Sequence, residues 1–159
     1  MCAHDAKLRV TDRSYLFVPG NRADRFSAAC NAGADVVLID LEDAVAPAAK
    51  ADARQAAAAW LRGSVGAWLR INGADTDWFQ EDLALLSLPG VRGVMLPKAE
   101  HSAPVAEIRD TAPDLPVIAL IESALGLRNL EAIAAAGIAR FAFGSIDFQL
   151  DLGIDGERE

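Results

Sequence analysis

The chain has 159 residues, 52% of them hydrophobic and only 6% aromatic, which is enough for one compact domain with a core rich in alanine and leucine. A net charge of −8 argues against nucleic acid or an anionic membrane as the main partner, while leaving room for a local basic pocket. The opening MCAHDAKLRV has no apolar signal region, and no run approaches the ~20 apolar residues of a membrane span. Cys2 and Cys30 form no metal or redox spacing. The expectation is a soluble, cytoplasmic protein with reduced thiols.

Strand-like and helix-like segments alternate from Tyr15 to Asp147. The first strand-like run, YLFVPGNR at 15–22, leads to a helix through Arg25, Phe26 and Ala29 that Asn21 can cap and that stops near Gly33. VVLIDLED at 36–43 follows, then a helix opened by Pro47 and continued by KADARQAAAAWL to Gly63. AWLRING at 67–73 precedes DWFQEDLALL, with Asp75 or Thr76 as its cap and Pro89-Gly90 as its stop. GVMLPKAE at 93–100 precedes a shorter helix from Ser102 and Pro104 through Ile108. PVIALIES at 116–123 precedes LEAIAAA, capped by Asn129 and ended by Gly137, and RFAFGSID at 140–147 is the sixth run.

The strand-like runs are apolar on both faces, as in Val36-Val37-Leu38-Ile39, which marks doubly buried parallel strands. Strand and helix recurring every 20 to 30 residues or so indicate βαβ units and an α/β fold. Two architectures compete, an open doubly wound sheet and a closed barrel. No G-x-G-x-x-G follows the first strand, and polar or charged residues end all six runs, so the (β/α)8 TIM barrel is favoured, with residues 1–159 as a single incomplete barrel domain. A complete barrel has eight strands and typically ~250 residues. Six parallel strands would leave two open edges. Either the chain is part of a longer protein, the favoured expectation, or another chain supplies the missing strands.

A barrel collects the carboxyl ends of its strands at one mouth. Glu122 and Asp147 each follow an apolar strand, and two carboxylates on neighbouring strands repel unless a cation lies between them. Mg²⁺ suits that place, since it takes one or two carboxylates and completes its octahedron with water and substrate oxygens. The competing reading is that each carboxylate caps the segment after it. Arg70 can grip a carboxylate through two parallel hydrogen bonds, or pair with the acids Asp40, Glu42 and Asp43, or do both. Asn72 is expected to serve the turn before Gly73. Arg22 and Arg25, at a helix start, can hold a phosphate; the competing reading is that Arg25 points outward and pairs with Asp24 or a later acid. Lys98 is either a substrate contact or a partner for Glu100. His4 and His101 are not placed as catalytic bases, and no Cys–His or Ser–His pair suggests a covalent nucleophile.

LFVPGNRADRF, VVLIDLEDAVAP, LRINGADTDWFQEDL, GVMLPKAE, ALIESALGLRNLEAIA and FAFGSIDFQLDLG, in this order, resemble the citrate lyase β-subunit-like proteins of the HpcH/HpaI aldolase and citrate lyase superfamily. The resemblance covers nearly the whole chain. It implies a phosphoenolpyruvate/pyruvate-type TIM barrel, a homotrimer or hexamer, that binds Mg²⁺ and cleaves or forms a carbon–carbon bond next to an acyl-CoA thioester such as citryl-, malyl- or citramalyl-CoA. Glu122 and Asp147 resemble the family's metal ligands and Arg70 its substrate-carboxylate arginine. Asp40, Glu42 and Asp43 resemble the acidic cluster beside the metal-bound water. Arg22 and Arg25 are weaker matches to the CoA end, and the backbone amides at Gly144 and Ser145 to a site for the oxo-acid carboxylate. The family's last two strands, and the lid that carries an Asp general acid/base into a neighbouring subunit, have no counterpart here. The rival functions are a class II aldolase acting on CoA-free hydroxy-oxo acids and a non-catalytic subunit that binds metal and acyl-CoA.

Overall fold

The computed structural model describes residues 12–63 and 66–154; Cys2 and His4 lie outside them. Six parallel strands form one sheet in the order of the chain: β1 (Tyr15–Pro19), β2 (Val36–Asp40), β3 (Ala67–Arg70), β4 (Val91–Leu96), β5 (Val117–Ile121) and β6 (Arg140–Phe143). Each strand ends where its apolar run meets the first charged or turn residue, so the strands are shorter than the runs that announced them. Among the described residues seven α-helices lie between and after them: α1 (Phe26–Cys30), α2 (Lys50–Leu61), α3 (Phe79–Leu83), α4 (Ala103–Thr111), α5 (Ala124–Arg128), α6 (Leu130–Ala135) and α7 (Ser145–Leu152). Short 3₁₀ turns at Ala23–Arg25 and Pro47–Ala49 lead into α1 and α2.

Alternation along the strands divides the core in two, because successive side chains leave opposite faces of a sheet. Val37, Ile39, Leu69, Val94, Leu96, Val117, Ala119 and Ile121 pack against helix residues including Phe26, Ala53, Ala57, Leu61, Phe79, Val105, Ile108 and Ile133. Val36, Leu38, Trp68, Met95, Ile118 and Leu120 form a second cluster on the other face, with Tyr15 and Ala142 packed against it. The sheet curls around this second cluster: Arg140 of β6 donates a hydrogen bond to the hydroxyl of Tyr15 on β1 and another to the carbonyl of Asp12 at 2.9 Å. A curl that brings the first and last strands within side-chain reach is the wall of a barrel rather than an open sheet. The α/β architecture and the half-barrel curvature agree with expectation.

The expected helix caps are corrected. Asn21, Thr76, Ser102 and Asn129 make no side-chain cap bond to the helices assigned to them. Thr76 instead donates to Gly73 O at 2.7 Å, and Asn129 Nδ2 to Glu100 O at 2.8 Å. Competing acceptors nearby claimed these short polar groups. The capping side chain that does form is Ser123, whose hydroxyl accepts from Gly126 N at 3.2 Å and opens α5, an element the strand reading of IES missed. Pro47 opens its turn as expected, and Gly33 and Gly137 adopt φ of 87° and 88° after α1 and α6.

Candidate active site at the carboxyl ends of the strands

Asp40 is the last residue of β2 and Arg70 the last of β3, and the strand register pairs them directly. Arg70 donates from Nε to Asp40 Oδ1 at 2.7 Å and from Nη2 to Asp40 Oδ2 at 2.5 Å, the bidentate fork that planar guanidinium and carboxylate favour. Its Nη1 lies 3.0 Å from Glu42 Oε2 and donates to Asp43 Oδ2 at 3.4 Å. The aromatic ring of Phe17 on β1 lies 5.0 Å from the guanidinium carbon. A guanidinium has five N–H groups, so these three bonds leave donor capacity for a ligand. Burial works to lower the pKa of Arg70, but Asp40 first, then Glu42 and Asp43, more than offset it, and the net direction is upward.

The loop after β2 folds around the Asp40 carboxylate, which also accepts from Glu42 N at 2.9 Å and Ala44 N at 3.2 Å. Glu42 is buried, whereas Asp43 is exposed. Burial raises the Glu42 pKa to about 7 against the pull of Arg70. Its Oε2 is within ion-pair distance of Arg70 yet not aligned for a hydrogen bond, leaving it the kind of buried acceptor that calls for a further donor.

Glu122 follows β5 and is buried, and its Oε2 accepts from Lys98 N at 2.9 Å. Lys98 reaches that position with φ of 46°, a left-handed conformation that no other non-glycine residue adopts among the described residues. Its ammonium lies 3.4 Å from Glu42 Oε1, so one residue joins two acids, and the Glu100 pairing considered from sequence gives way to Glu42. Burial raises the pKa of Glu122; the Lys98 amide opposes this, and the charge and hydrogen bonding of Asp147 add to it. Asp147, which exerts this push, stands on the first turn of α7 rather than at a strand end. Gly144 permits this approach: a Cβ there would lie 2.6 Å from Glu122 Cγ and 2.7 Å from Oε1. The Gly144 amide itself donates to Ile121 O at 2.9 Å, so any anion at this helix start would meet the amides from exposed Ser145 onward.

Arg22 lies apart from this cluster in its bonding, donating twice to Asp24 at 2.9 and 2.8 Å, and Arg25 is exposed. His101 is exposed in the loop before α4.

Sequence reasoning missed the groups beneath the site. Lys50, the first residue of α2, is buried and donates to Leu41 O, Glu42 O and Asn72 Oδ1 at 2.7, 2.7 and 2.6 Å. Asn72 does more than serve a turn: its N and Nδ2 donate to Asp82 Oδ2 at 2.9 and 2.6 Å, and Asp82 Oδ1 accepts from Arg54 Nε at 2.8 Å. A lysine in the first turn of a helix opposes the macrodipole, and this was the available signal that Lys50 has a partner elsewhere.

Among the described residues no group of three or more His, Cys, Asp and Glu side chains is arranged to hold a metal ion. Two facing carboxylates, Glu122 and Asp147, nonetheless fit the smaller protein share that Mg²⁺ takes when water and substrate oxygens supply the rest. Fold and site together define a parallel βα half-barrel whose strand ends carry an arginine-bridged acidic cluster beside a carboxylate pair.

The family model described as HpcH/HpaI aldolase/citrate lyase matches residues 13–159, and the chain belongs to that family. A (3S)-malyl-CoA thioesterase of Cereibacter sphaeroides is 35% identical over 127 residues, covering 77% of this chain and 45% of the relative. A citrate lyase beta subunit from Mycobacterium tuberculosis, solved with oxaloacetate and magnesium, superposes with a TM-score of 0.75 at 39% identity, covering 91% of this chain and 63% of that one. The protein CitE of the same organism, solved with magnesium, acetoacetate and coenzyme A, gives 0.77 at 38% identity, covering 96% and 55%. The chain spans about half the length of the curated relatives it matches.

Proposed function

We propose that this chain forms the metal- and oxo-acid-binding part of a Mg²⁺-dependent carbon–carbon lyase that cleaves a 3-hydroxyacyl-CoA of the citryl-, malyl- or citramalyl-CoA type to a 2-oxo acid and an acyl-CoA. The observation that carries the reading is the juxtaposition at one mouth of the Glu122–Asp147 pair and the bridged cluster of Arg70, Asp40 and Glu42. Family membership and relatives solved with magnesium, oxo acids and coenzyme A support it. Glu122 and Asp147 hold Mg²⁺, which when bound acts as a Lewis acid toward the oxygens of the acid half. Arg70 donates to the substrate carboxylate and is itself held in place by Asp40. Glu42, Asp43 and Lys98 line the same mouth, the Ser145 end of α7 offers amides to an anion, and Arg22 and Arg25 serve the CoA end. The reaction breaks the bond between the hydroxyl-bearing carbon and the carbon next to the thioester. The hydroxyl loses its proton and becomes a carbonyl, and the thioester half leaves as an enolate that is then protonated on carbon. Aligned donors on the developing oxyanion supply the main electrostatic stabilisation. Residues 1–159 form one incomplete barrel domain of a cytoplasmic homo-oligomer.

Calorimetric titration with oxaloacetate, with and without Mg²⁺, tests this reading: binding should require Mg²⁺ and vanish in Glu122→Gln. Metal-independent binding, or an unaffected variant, would remove Glu122 from the metal.

A second reading, hydrolysis of the thioester, is favoured by the relative named as a malyl-CoA thioesterase and by a buried Glu42 whose pKa near 7 suits a general base. Products from malyl-CoA separate the two in any preparation that turns it over: glyoxylate with acetyl-CoA for the lyase, malate with free coenzyme A for the hydrolase.

A further inference from the structure

The loop 41–44, which carries Glu42 and Asp43, is tied from two sides. The Asp40 carboxylate takes the amides of Glu42 and Ala44, and Lys50 takes the carbonyls of Leu41 and Glu42. The third donor of Lys50 goes to Asn72, just past the end of β3 and two residues beyond Arg70. An ammonium has three N–H groups, so Lys50 is fully spent and has no free lone pair or proton to offer a substrate. Asn72 continues to Asp82 on α3, and Asp82 to Arg54, one turn along α2 from Lys50. The bonds close a ring from Lys50 through Asn72, Asp82 and Arg54 back along α2. That ring lies under the two strand ends that deliver Asp40 and Arg70. Trp78 covers it, with its ring centroid 5.1 Å from Lys50 Nζ.

We propose that Lys50 is a positioning residue. It fixes the loop after β2 relative to the end of β3, so that Asp40 and Glu42 hold the Arg70 guanidinium in one orientation. Arg70 hangs between two separately connected segments. Without Lys50, three buried acceptors lose their donor, the loop rotates to find water, and the fork loses its alignment. Glu122, just after β5, and Asp147, on α7, belong to other segments and are left in place.

The first test is free of any ligand. ¹⁵N-resolved NMR follows hydrogen exchange of the Arg70 Nε–H, assigned by its loss in Arg70→Lys, in the unsubstituted chain and in Lys50→Met. Exchange of this proton should accelerate about tenfold in the variant, the scale of one lost charge-assisted bond. The β5 amides, Val117–Ile121, should stay within twofold or so. Equal acceleration of both would make Lys50 a contributor to stability alone and overturn the proposal, as would an unchanged Arg70 signal. The second test rests on the function proposed above: Lys50→Met should weaken Mg²⁺-dependent oxaloacetate binding about tenfold while leaving the affinity for Mg²⁺ alone unchanged. Equal weakening of both would overturn positioning. If the unsubstituted chain binds no oxaloacetate, the proposed function fails, and the exchange measurement still decides the role of Lys50. If Lys50→Met does not fold, Asn72→Ala removes one of the three acceptors and is read by the same measurements.

Discussion

Replacing Gly144 by alanine puts the carboxylate pair to its most direct test. The added Cβ would lie 2.6 Å from Glu122 Cγ and 2.7 Å from its Oε1, where ordinary contact begins at 3.4 Å, so about 0.8 Å of movement is needed. The backbone at Gly144, φ −95° and ψ 90°, suits any residue, so the whole effect is contact and none of it backbone strain. Glu122 cannot easily yield, because it is buried and its other oxygen is held by the Lys98 amide. Overpacking of this kind costs about 1–3 kcal/mol. For a chain of this size that lowers Tm by roughly 2–12 °C. Metal ligands tolerate only about ±0.2 Å, so Mg²⁺ affinity should fall at least ~10-fold. Differential scanning calorimetry and a Mg²⁺ titration read the two effects. A variant with unchanged Tm and unchanged Mg²⁺ affinity would refute the placement of Gly144 against Glu122 and, with it, the pairing of Glu122 with Asp147.

Glu42 should make stability depend on pH. Its folded pKa of about 7 lies above the ordinary 4.5, so its contribution is fully present below pH 4.5 and is lost as pH rises through 7, by about 3 kcal/mol at most. Urea denaturation between pH 5 and pH 8 should show that decline in the unsubstituted chain and a flatter profile in Glu42→Gln; equal slopes would refute it. Asp82→Ala strips buried Asn72 of its acceptor and half-buried Arg54 of one of its two carboxylate partners, Glu81 remaining, and should cost about 1–3 kcal/mol in urea denaturation, a loss below about 0.5 kcal/mol counting against the ring. Asp35 is held down to about 2 by the amide of Arg13, the hydroxyl of Ser14 and the amide of Ser14. Its stabilisation is therefore present above pH 4 or so and lost as pH falls through 2, and Asp35→Asn should remove that part of the acid transition seen by circular dichroism.

The inner strands β2 to β5 were legible because their apolar runs are buried on both faces, and the composition of such a run leaves little choice of structure; β1 and β6, at the sheet edges, share the composition but are partly exposed. The polar ends were legible for the same reason: an acid or an arginine directly after four or five buried residues cannot be a solvated helix face. The helices were read less well. DWFQEDLALL forms α3 only over Phe79–Leu83, because Asp82 turns inward to Asn72 and the chain continues as turns to Leu88. Asp147 was assigned to a strand end, yet Ser145 to Leu152 is helical, since after Gly144 the chain has left the sheet. Lys50 was hidden by its setting: two of its acceptors, Leu41 O and Glu42 O, lie in the loop just before it, and the third, Asn72, reaches its ammonium only through the register of β2 and β3. Pair contacts across about 20 residues of sequence are set by topology, and no local pattern encodes them.

Charge matching divides the mouth into two halves with different needs. Asp40, Glu42 and Asp43 meet Arg70 and Lys98, while Lys50 holds their loop through its carbonyls. On that side cations of the chain answer the acids. Glu122 and Asp147 meet no side-chain ion pair of the chain at salt-bridge distance among the described residues; the nearest help to Glu122 is one backbone amide. Two facing carboxylates in a half-buried place must share a proton or a cation, and a proton leaves as pH rises. In the proposed function a divalent ion is that cation: Glu122 and Asp147 would hold it, it would supply Lewis acidity, and Arg70 would donate to the substrate carboxylate. In the function proposed above, the arginine half would orient a carboxylate and the acidic pair would hold the metal ion. Neither half alone would separate the proposed lyase from an ion-pair network, and the proposal rests on their adjacency, with Arg70 on β3, Glu122 just after β5 and Asp147 on α7.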